Sequence, residues 1–349
     1  VLEGDPLVVV VAFHGVEALA TALDPLRDLD VVVVDNSSSE LVSHACGVAG
    51  ARYLDAGGNL GFARGVNLGL AEAAGRDVVL VNPDAVVDPA VVRSLARALH
   101  PSGRRVAAAS PLLVGTDGAA QRVRWPFPSP RGAWAVASGR GERHDALGGF
   151  LVGAVLALNA DALADVGGFD PSYFLYAEET DWQRRAVQQG WELQVVHELV
   201  ARHAGGGTSS DERRREVHFH AGTERYVRTW FGSRGWESYR AAAVLGAAAR
   251  AAVLTGGRGA EARRRAALYL RGPLRQEQRR FAPRRSVVHV VLTNNFAGTE
   301  RLVCTEAVGF AERGWDVTVI GGSPARMRAA LGLKVHHVPA VSVADGVRA

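Results

Sequence analysis

Runs of apolar residues punctuate the first half of the chain, each closed by a polar loop. Residues 7–13, 31–34 and 78–81 are apolar without alternation. A strand with one wet face alternates, whereas a strand covered on both faces does not, so these three read as buried strands of one sheet. Between them, residues 16–26 carry apolar positions at helical spacing and stop near Pro25, and residues 51–54 make a short third strand. A glycine-rich segment, 57–67, leads into a helix expected to reach about Ala74, followed by a helix over 89–99 and a strand over 106–109. The order βαβαβαβαβ predicts a mostly parallel, Rossmann-like α/β sheet with helices on both faces and right-handed crossovers.

Beyond this point the pattern loosens. Residues 116–143 are rich in Gly, Pro, Arg and Trp, which predicts an irregular, mobile segment lying over the sheet edge. A glycine-bearing strand is expected over 148–158, a helix from Glu178 to about Gln189, and a strand over 191–196. Residues 225–285 read as two or three Ala/Arg-rich helices with thin apolar faces, and 286–338 returns to strand, helix and strand. The expected division is an α/β domain over 1–231, a basic helical arm over 232–285 and a partial α/β segment over 286–349.

Composition narrows the class. Apolar residues make up 48% of the 349 and charged residues 22%, which supports a packed core and argues against disorder. Two cysteines, Cys46 and Cys304, do not make a disulfide framework, so a reducing compartment is expected. No basic-then-apolar leader opens the chain, and no apolar run is long enough to predict a spanning helix. The net charge of +4 is unevenly placed: residues 225–285 hold fifteen arginines against three glutamates, a local +12 that leaves −8 elsewhere. Such asymmetry predicts a basic surface that meets an anionic partner: nucleic acid, a phospholipid surface or a lipid diphosphate.

Candidate chemistry sits at the strand ends, where open α/β sheets bind ligands. Pro83 stops the strand over 78–81 and leaves Asn82 and Asp84 at its carboxyl end. Two oxygen ligands there suit a hard divalent cation and a diphosphate, although an Asx turn uses the same residues. Asp35-Asn36-Ser37-Ser38-Ser39 can cap a helix or bind a base or ribose. The glycines of 57–67 permit close backbone approach and offer helix N–H groups to phosphate, but they match neither a P-loop nor a dinucleotide fingerprint. Glu178, Glu179 and Asp181 crowd one helix start beside Tyr176 and Trp182. Acids there cap the helix dipole, or their mutual repulsion raises a pKa and makes a general base. His203, beside glycines, is either structural or a reach toward metal or phosphate.

Together, Val32-Val33-Val34-Asp35-Asn36-Ser37-Ser38, Asn59-Leu60-Gly61-Phe62-Ala63, Asn82-Pro83-Asp84, Gly167-Gly168-Phe169-Asp170 and the Glu178–Asp181 cluster resemble the family 2 glycosyltransferases. The likeness covers roughly residues 7–230 and is greatest to a rhamnosyltransferase-like bacterial branch. It implies a GT-A fold and inverting transfer from a nucleoside-diphosphate sugar (dTDP or UDP, rhamnose favoured) to a hydroxyl of a glycan or lipid-linked acceptor. Mg²⁺ or Mn²⁺ would be held by Asp84 and His203. Asp35 would contact the base or ribose. Phe13, His14, Asn36, Asn59, Gly61, Phe62, Asn67, Asn82 and Gly149 complete the expected donor contacts, and Tyr176 and Trp182 the acceptor side. Glu179 falls at the base position, with Asp181 and Glu178 as alternatives. Two departures stand out: Asn82 replaces the first acid of an Asp-x-Asp pair, and Glu178-Glu179 replaces Glu-Asp. The expected role is in surface polysaccharide or glycolipid assembly, in the cytoplasm or peripherally on the inner face of a membrane, without nucleic acid. The competing readings are a non-catalytic sugar-nucleotide binder and a nucleotidyltransferase. Residues 286–338 resemble the opening of a family 4, GT-B glycosyltransferase, which implies the front part of a bifunctional protein or a truncated chain.

Overall fold

The uninterrupted apolar runs become the middle of a sheet. The computed structural model describes residues 4–142, 147–205, 212–281, 286–291, 296–312, 315–331 and 335–338, and the chain divides into two units, Val1–Glu277 and Gln278–Ala349. The strands of the first unit are β1 (Leu7–Ala12), β2 (Val31–Asp35), β3 (Arg52–Asp55), β4 (Val78–Val81), β5 (Ala85–Val86), β6 (Val106–Val114), β7 (Ala120–Gln121), β8 (Arg124–Trp125), β9 (Phe150–Leu151), β10 (Val155–Leu158) and β11 (Glu192–His203). Its helices are α1 (Val16–Leu23), α2 (Glu40–Ala49), α3 (Phe62–Ala71), α4 (Pro89–Ala98), α5 (Pro130–Ala137), α6 (Ala160–Val166), α7 (Glu178–Gln188), α8 (Glu212–Val253, broken at Gly232), α9 (Gly256–Arg271) and α10 (Pro273–Phe281).

The main sheet runs β3-β2-β1-β4-β10-β6-β11-β5, with β7 beside β6. The first four strands are parallel. β10 then runs antiparallel between β4 and β6, and β11 lies parallel to β6. The strand expected over 148–158 is therefore two pieces: β9 pairs with β8 in a separate ribbon, and β10 enters the sheet reversed. Alternate residues of β1 and β4 serve opposite cores: Val9, Val11, Val78 and Leu80 on one face, Val8, Val10, Val79 and Val81 on the other. Each such burial is worth roughly 1.5–3 kcal/mol, which is why these strands tolerate no polar position.

Residues 116–143 are more ordered than their composition suggests. They hold β7, β8 and α5, whose start is capped by Ser129 accepting from Gly132 N. Trp134 Nε1 donates to Ser238 Oγ at 3.1 Å, tying α5 to α8. The Ala/Arg-rich helices of 232–277 fall within the first unit and do not form a body apart. Ala242, Ala247, Leu268 and Tyr269 are buried there, and Arg240 donates to the carbonyls of Tyr269 and Leu270 at the end of α9. Part of the basic charge thus satisfies a helix C-terminus. Among the described residues, no helix is long and apolar enough to cross a membrane.

The second unit has three parallel strands, β12 (Ser286–Val291), β13 (Asp316–Gly321) and β14 (His336–Val338), with α11 (Gly298–Glu312) and α12 (Pro324–Leu331). Its small core gathers Cys304, Ala307, Val317, Val319, Met327, Leu331 and Val335. Pro283, Asn294, Asn295 and Gly314, and the loop residues Gly206, Gly207 and Thr208, lie outside the described residues.

Candidate active site

The carboxyl ends of β1, β2, β4 and β11 open onto one cleft of about 890 Å³. Asn36 leaves β2, Asn82 and Asp84 leave β4, and His203 ends β11. Asp84 and His203 are far apart in sequence, and a short antiparallel pairing joins them. β5 follows Asp84 directly and pairs with the end of β11, setting His203 opposite Ala85, and Ala204 N donates to Asp84 O at 3.0 Å. His203 Nε2 consequently lies 3.5 Å from Asp84 Oδ1.

The imidazole is oriented from behind by Gln121. Its Nε2 donates to the His203 carbonyl at 2.9 Å, which fixes the amide so that Oε1 faces His203 Nδ1 at 3.0 Å. An amide oxygen only accepts, so Nδ1 carries a proton, and in the neutral ring Nε2 is then the nitrogen with the lone pair, on the Asp84 side. A carboxylate oxygen and a bare imidazole nitrogen 3.5 Å apart are close enough to share one cation, and the amide behind the ring is a typical outer support for a metal-binding histidine. The donor set therefore fits a divalent ion.

The other wall begins at α7. Tyr176 and Ala177, just before it, adopt left-handed backbone with φ of 69° and 71°, a conformation costing roughly 1–3 kcal/mol per non-glycine residue. Packing holds them there. Gly222 of α8 sits so close that a Cβ at this position would lie 2.3 Å from Tyr176 O. The bend places Glu178 and Glu179 on the cleft wall, each with an Oε2 that is buried without a hydrogen-bond partner. Burial raises the pKa of both. Glu178 is pushed well above the usual carboxylate range, and repulsion from ionised Glu179 adds to its desolvation. Burial and mutual repulsion thus oppose ionising both members of this pair at once. Gly153 faces Glu179: a Cβ there would stand 3.5 Å from Glu179 Cγ.

The glycine loop is stitched to this wall. Phe62 N donates to Phe174 O at 2.7 Å, and Gly61, with φ 84°, leaves only 2.5 Å between a would-be Cβ and that oxygen. Asn36 Nδ2 donates to Gly61 O at 3.0 Å, and its Oδ1 is buried, unpartnered and beside the cleft. Arg215, at the start of α8, lines the same space with a buried, unpartnered Nε.

Residues 7–219 match the family described as glycosyltransferase like family 2. The chain belongs to that family. It is a glycosyltransferase, built on a mixed α/β sheet. It is similar to the N-acetylglucosaminyl-diphospho-decaprenol L-rhamnosyltransferase of Mycobacterium tuberculosis, at 29% identity over 53% of this chain and 70% of that one. It is also similar to the low-salt glycan biosynthesis hexosyltransferase Agl10 of Haloferax volcanii, at 27% identity over 46% and 54%. Among solved structures, glucosyl-3-phosphoglycerate synthase of Mycobacterium tuberculosis, in complex with Mn²⁺, UDP and glucosyl-3-phosphoglycerate, aligns with a TM-score of 0.46 and 15% identity, covering 65% of this chain and 80% of that one.

Several residues expected at the glycosyltransferase site do line the cleft: Phe13, Asn36, Asn59, Gly61, Phe62, Asn82, Asp84, Tyr176, Glu178, Glu179 and His203. Others do not. Asp35 is fully buried and engages both carboxylate oxygens with Ser37, Ser39 and Tyr53, so it shapes the loop that presents Asn36. Asn67 clamps the backbone of Phe169 through both amide atoms. Asp181 pairs with Arg185 and accepts from Trp230 Nε1, and Trp182 is core, donating to Gly167 O at 2.7 Å. These two share the Glu178 face of α7 one turn farther along the helix, where Trp230 and the Gly167 carbonyl cover them. His14 is exposed with φ 58°, and Gly149 precedes β9 outside the lining, where Gly153 takes its place against Glu179. Gln121, Gly153, Arg215 and Gly222 escaped the sequence reading. A lone Gln or Gly carries no spacing signal, and only Arg215 was hinted at, by the run of basic residues at 213–215.

Proposed function

We propose that the chain is an inverting, metal-assisted transferase that moves a sugar, rhamnose first among candidates, from a nucleoside diphosphate to a hydroxyl of a lipid-linked glycan acceptor. The reading rests on one observation: Asp84, paired with His203, and Glu179 line the same cleft. Asn36 and the Gly61–Phe62 turn are assigned to the nucleoside, and Arg215 with Asn82 to the diphosphate. Mg²⁺ or Mn²⁺, held by Asp84 and His203, would neutralise charge on the departing diphosphate. Glu179 accepts the proton of the attacking hydroxyl, its basicity raised by burial. A single displacement needs only this one carboxylate and inverts the anomeric centre.

The acceptor class follows from the rhamnosyltransferase relative, whose name specifies an N-acetylglucosaminyl-diphospho-lipid, and from the arginines of α8 and α9, which suit a peripheral seat on an anionic membrane. The test is donor binding and hydrolysis across dTDP- and UDP-sugars, with and without Mn²⁺. One or more donors are expected to raise Tm only with the metal present. Asp84→Ala is expected to abolish the metal-dependent shift and hydrolysis together. A donor response indifferent to both metal and Asp84 would refute the assignment.

A further inference from the structure

The cleft is longer than a nucleotide sugar requires. Past the glutamates it continues as a gallery between α5 and the second half of α8, reaching the face of α9. From Tyr239 to Arg250 this path follows eleven helical steps, about 16 Å at roughly 1.5 Å per step. Its walls are apolar: Val136 and Ala137 on α5 face Ala242 and Ala243 on α8. α5 and α8 pack directly at Trp134–Ser238 and at Ala137–Gly246, and the gallery runs alongside these contacts. The charged groups on this wall are Glu142, paired with Arg122, Arg265, paired with Glu216 and Glu261, and Arg250. Arg250 makes no ion pair among the described residues, and its guanidinium folds back over Gly246. Leu245 and Val253, on this second half of α8, are exposed apolar side chains.

A polar glycan would leave these walls unsatisfied, and a bare hydrocarbon would make no use of a free cation at the exit. A chain that is apolar along its length, with phosphate groups near it, satisfies both. We propose that the gallery holds the first part of the hydrocarbon tail of a lipid-diphosphate acceptor. The acceptor's sugar faces Glu179, and the tail leaves past Arg250 and Val253 toward a lipid layer. This rests on the acceptor class proposed above and adds where its tail lies. Arg250 then stands among phosphates, with its stem along the apolar rim.

The experiment measures binding, so it does not depend on turnover. The probes are a long-chain prenyl diphosphate and a short, water-soluble one, each titrated against the full chain, with Mn²⁺-dependent nucleotide binding as a parallel readout. Wild type is expected to bind the long chain more tightly. Ala243→Trp, which fills the gallery, and Val136→Asp, which puts a charge in its half-exposed wall, are each expected to weaken long-chain binding by at least about tenfold. Both variants are expected to leave short-chain and nucleotide binding unchanged. Should Ala243→Trp fail to fold, Val136→Asp still decides the matter. Equal affinity for the two chain lengths, or variants that weaken both alike, would overturn the proposal. Loss of nucleotide binding in wild type strikes the donor assignment instead, and the chain-length comparison then still judges the gallery.

Discussion

Two adjacent glutamates share the first turn of α7, and their neighbours make them unequal. Glu178 is almost fully buried and feels the charge of Glu179. Glu179 is raised by burial alone and is relieved by backbone N–H groups, its own and that of Thr180. Glu179→Gln is expected to lower kcat by about 10²–10⁴, whereas Glu178→Gln keeps kcat within about tenfold, because Glu179 alone is assigned the hydroxyl's proton. A steady-state comparison of the two variants checks this. The acid limb of the wild-type rate profile is expected above the ordinary glutamate range, since activity falls as Glu179 gains its proton. Stability changes in the opposite sense. The folded pKa of Glu178 exceeds the unfolded one, so its contribution is fully present below about pH 4.3 and is lost as pH rises toward the folded value. Glu178→Gln is therefore expected to be as stable as wild type at pH 4 and more stable at pH 7, measured by urea midpoint.

At the scale of elements, the site depends on how tightly α8 presses on the bend before α7. Two consecutive left-handed residues, Tyr176 and Ala177, persist only because the surrounding contacts hold them. Gly222 is the nearest of those contacts, and a methyl group there has no room against the Tyr176 carbonyl. Backbone meets backbone at this point, so neither side yields cheaply. Gly222→Ala is expected to destabilise the first unit by about 1–3 kcal/mol and to lower kcat more than donor affinity, because the shift moves Glu179 and spares Asp84. Thermal denaturation and separate kcat and donor Kd measurements test the two parts. A variant with wild-type Tm and kcat would show that α8 does not set the bend.

Across the whole chain, two units of very different core size share one polypeptide. The first buries apolar residues on both faces of its sheet, whereas the second gathers a small cluster under three strands. Small cores lose a larger share of their burial to the surface. Urea is expected to unfold the second unit first, giving two transitions. Trp315 is the lone tryptophan in residues 278–349. Replacing it with Phe is expected to remove the early fluorescence change and leave the later one, and a single shared transition would contradict this independence.

The sequence by itself determined the buried strands, their order through β4, and the polar residues that end them. Burial on both faces writes an unbroken apolar run, and Pro83 or a glycine marks where it stops. Asp84 and Glu179 were legible as residues at an element's end, whereas His203, expected in a loop after a strand over 191–196, instead ends the longer β11. What only the tertiary structure decided are meetings between distant segments. Gln121 and His203 lie 82 positions apart, and β10 enters the sheet reversed without any local sign of direction. Asp181 and Trp182 stand beside the glutamates in sequence yet belong to the core, because one turn along α7 they meet Trp230 and the Gly167 carbonyl. The gallery along α5, α8 and α9 is the clearest case, since its lining comes from three helices far apart in sequence.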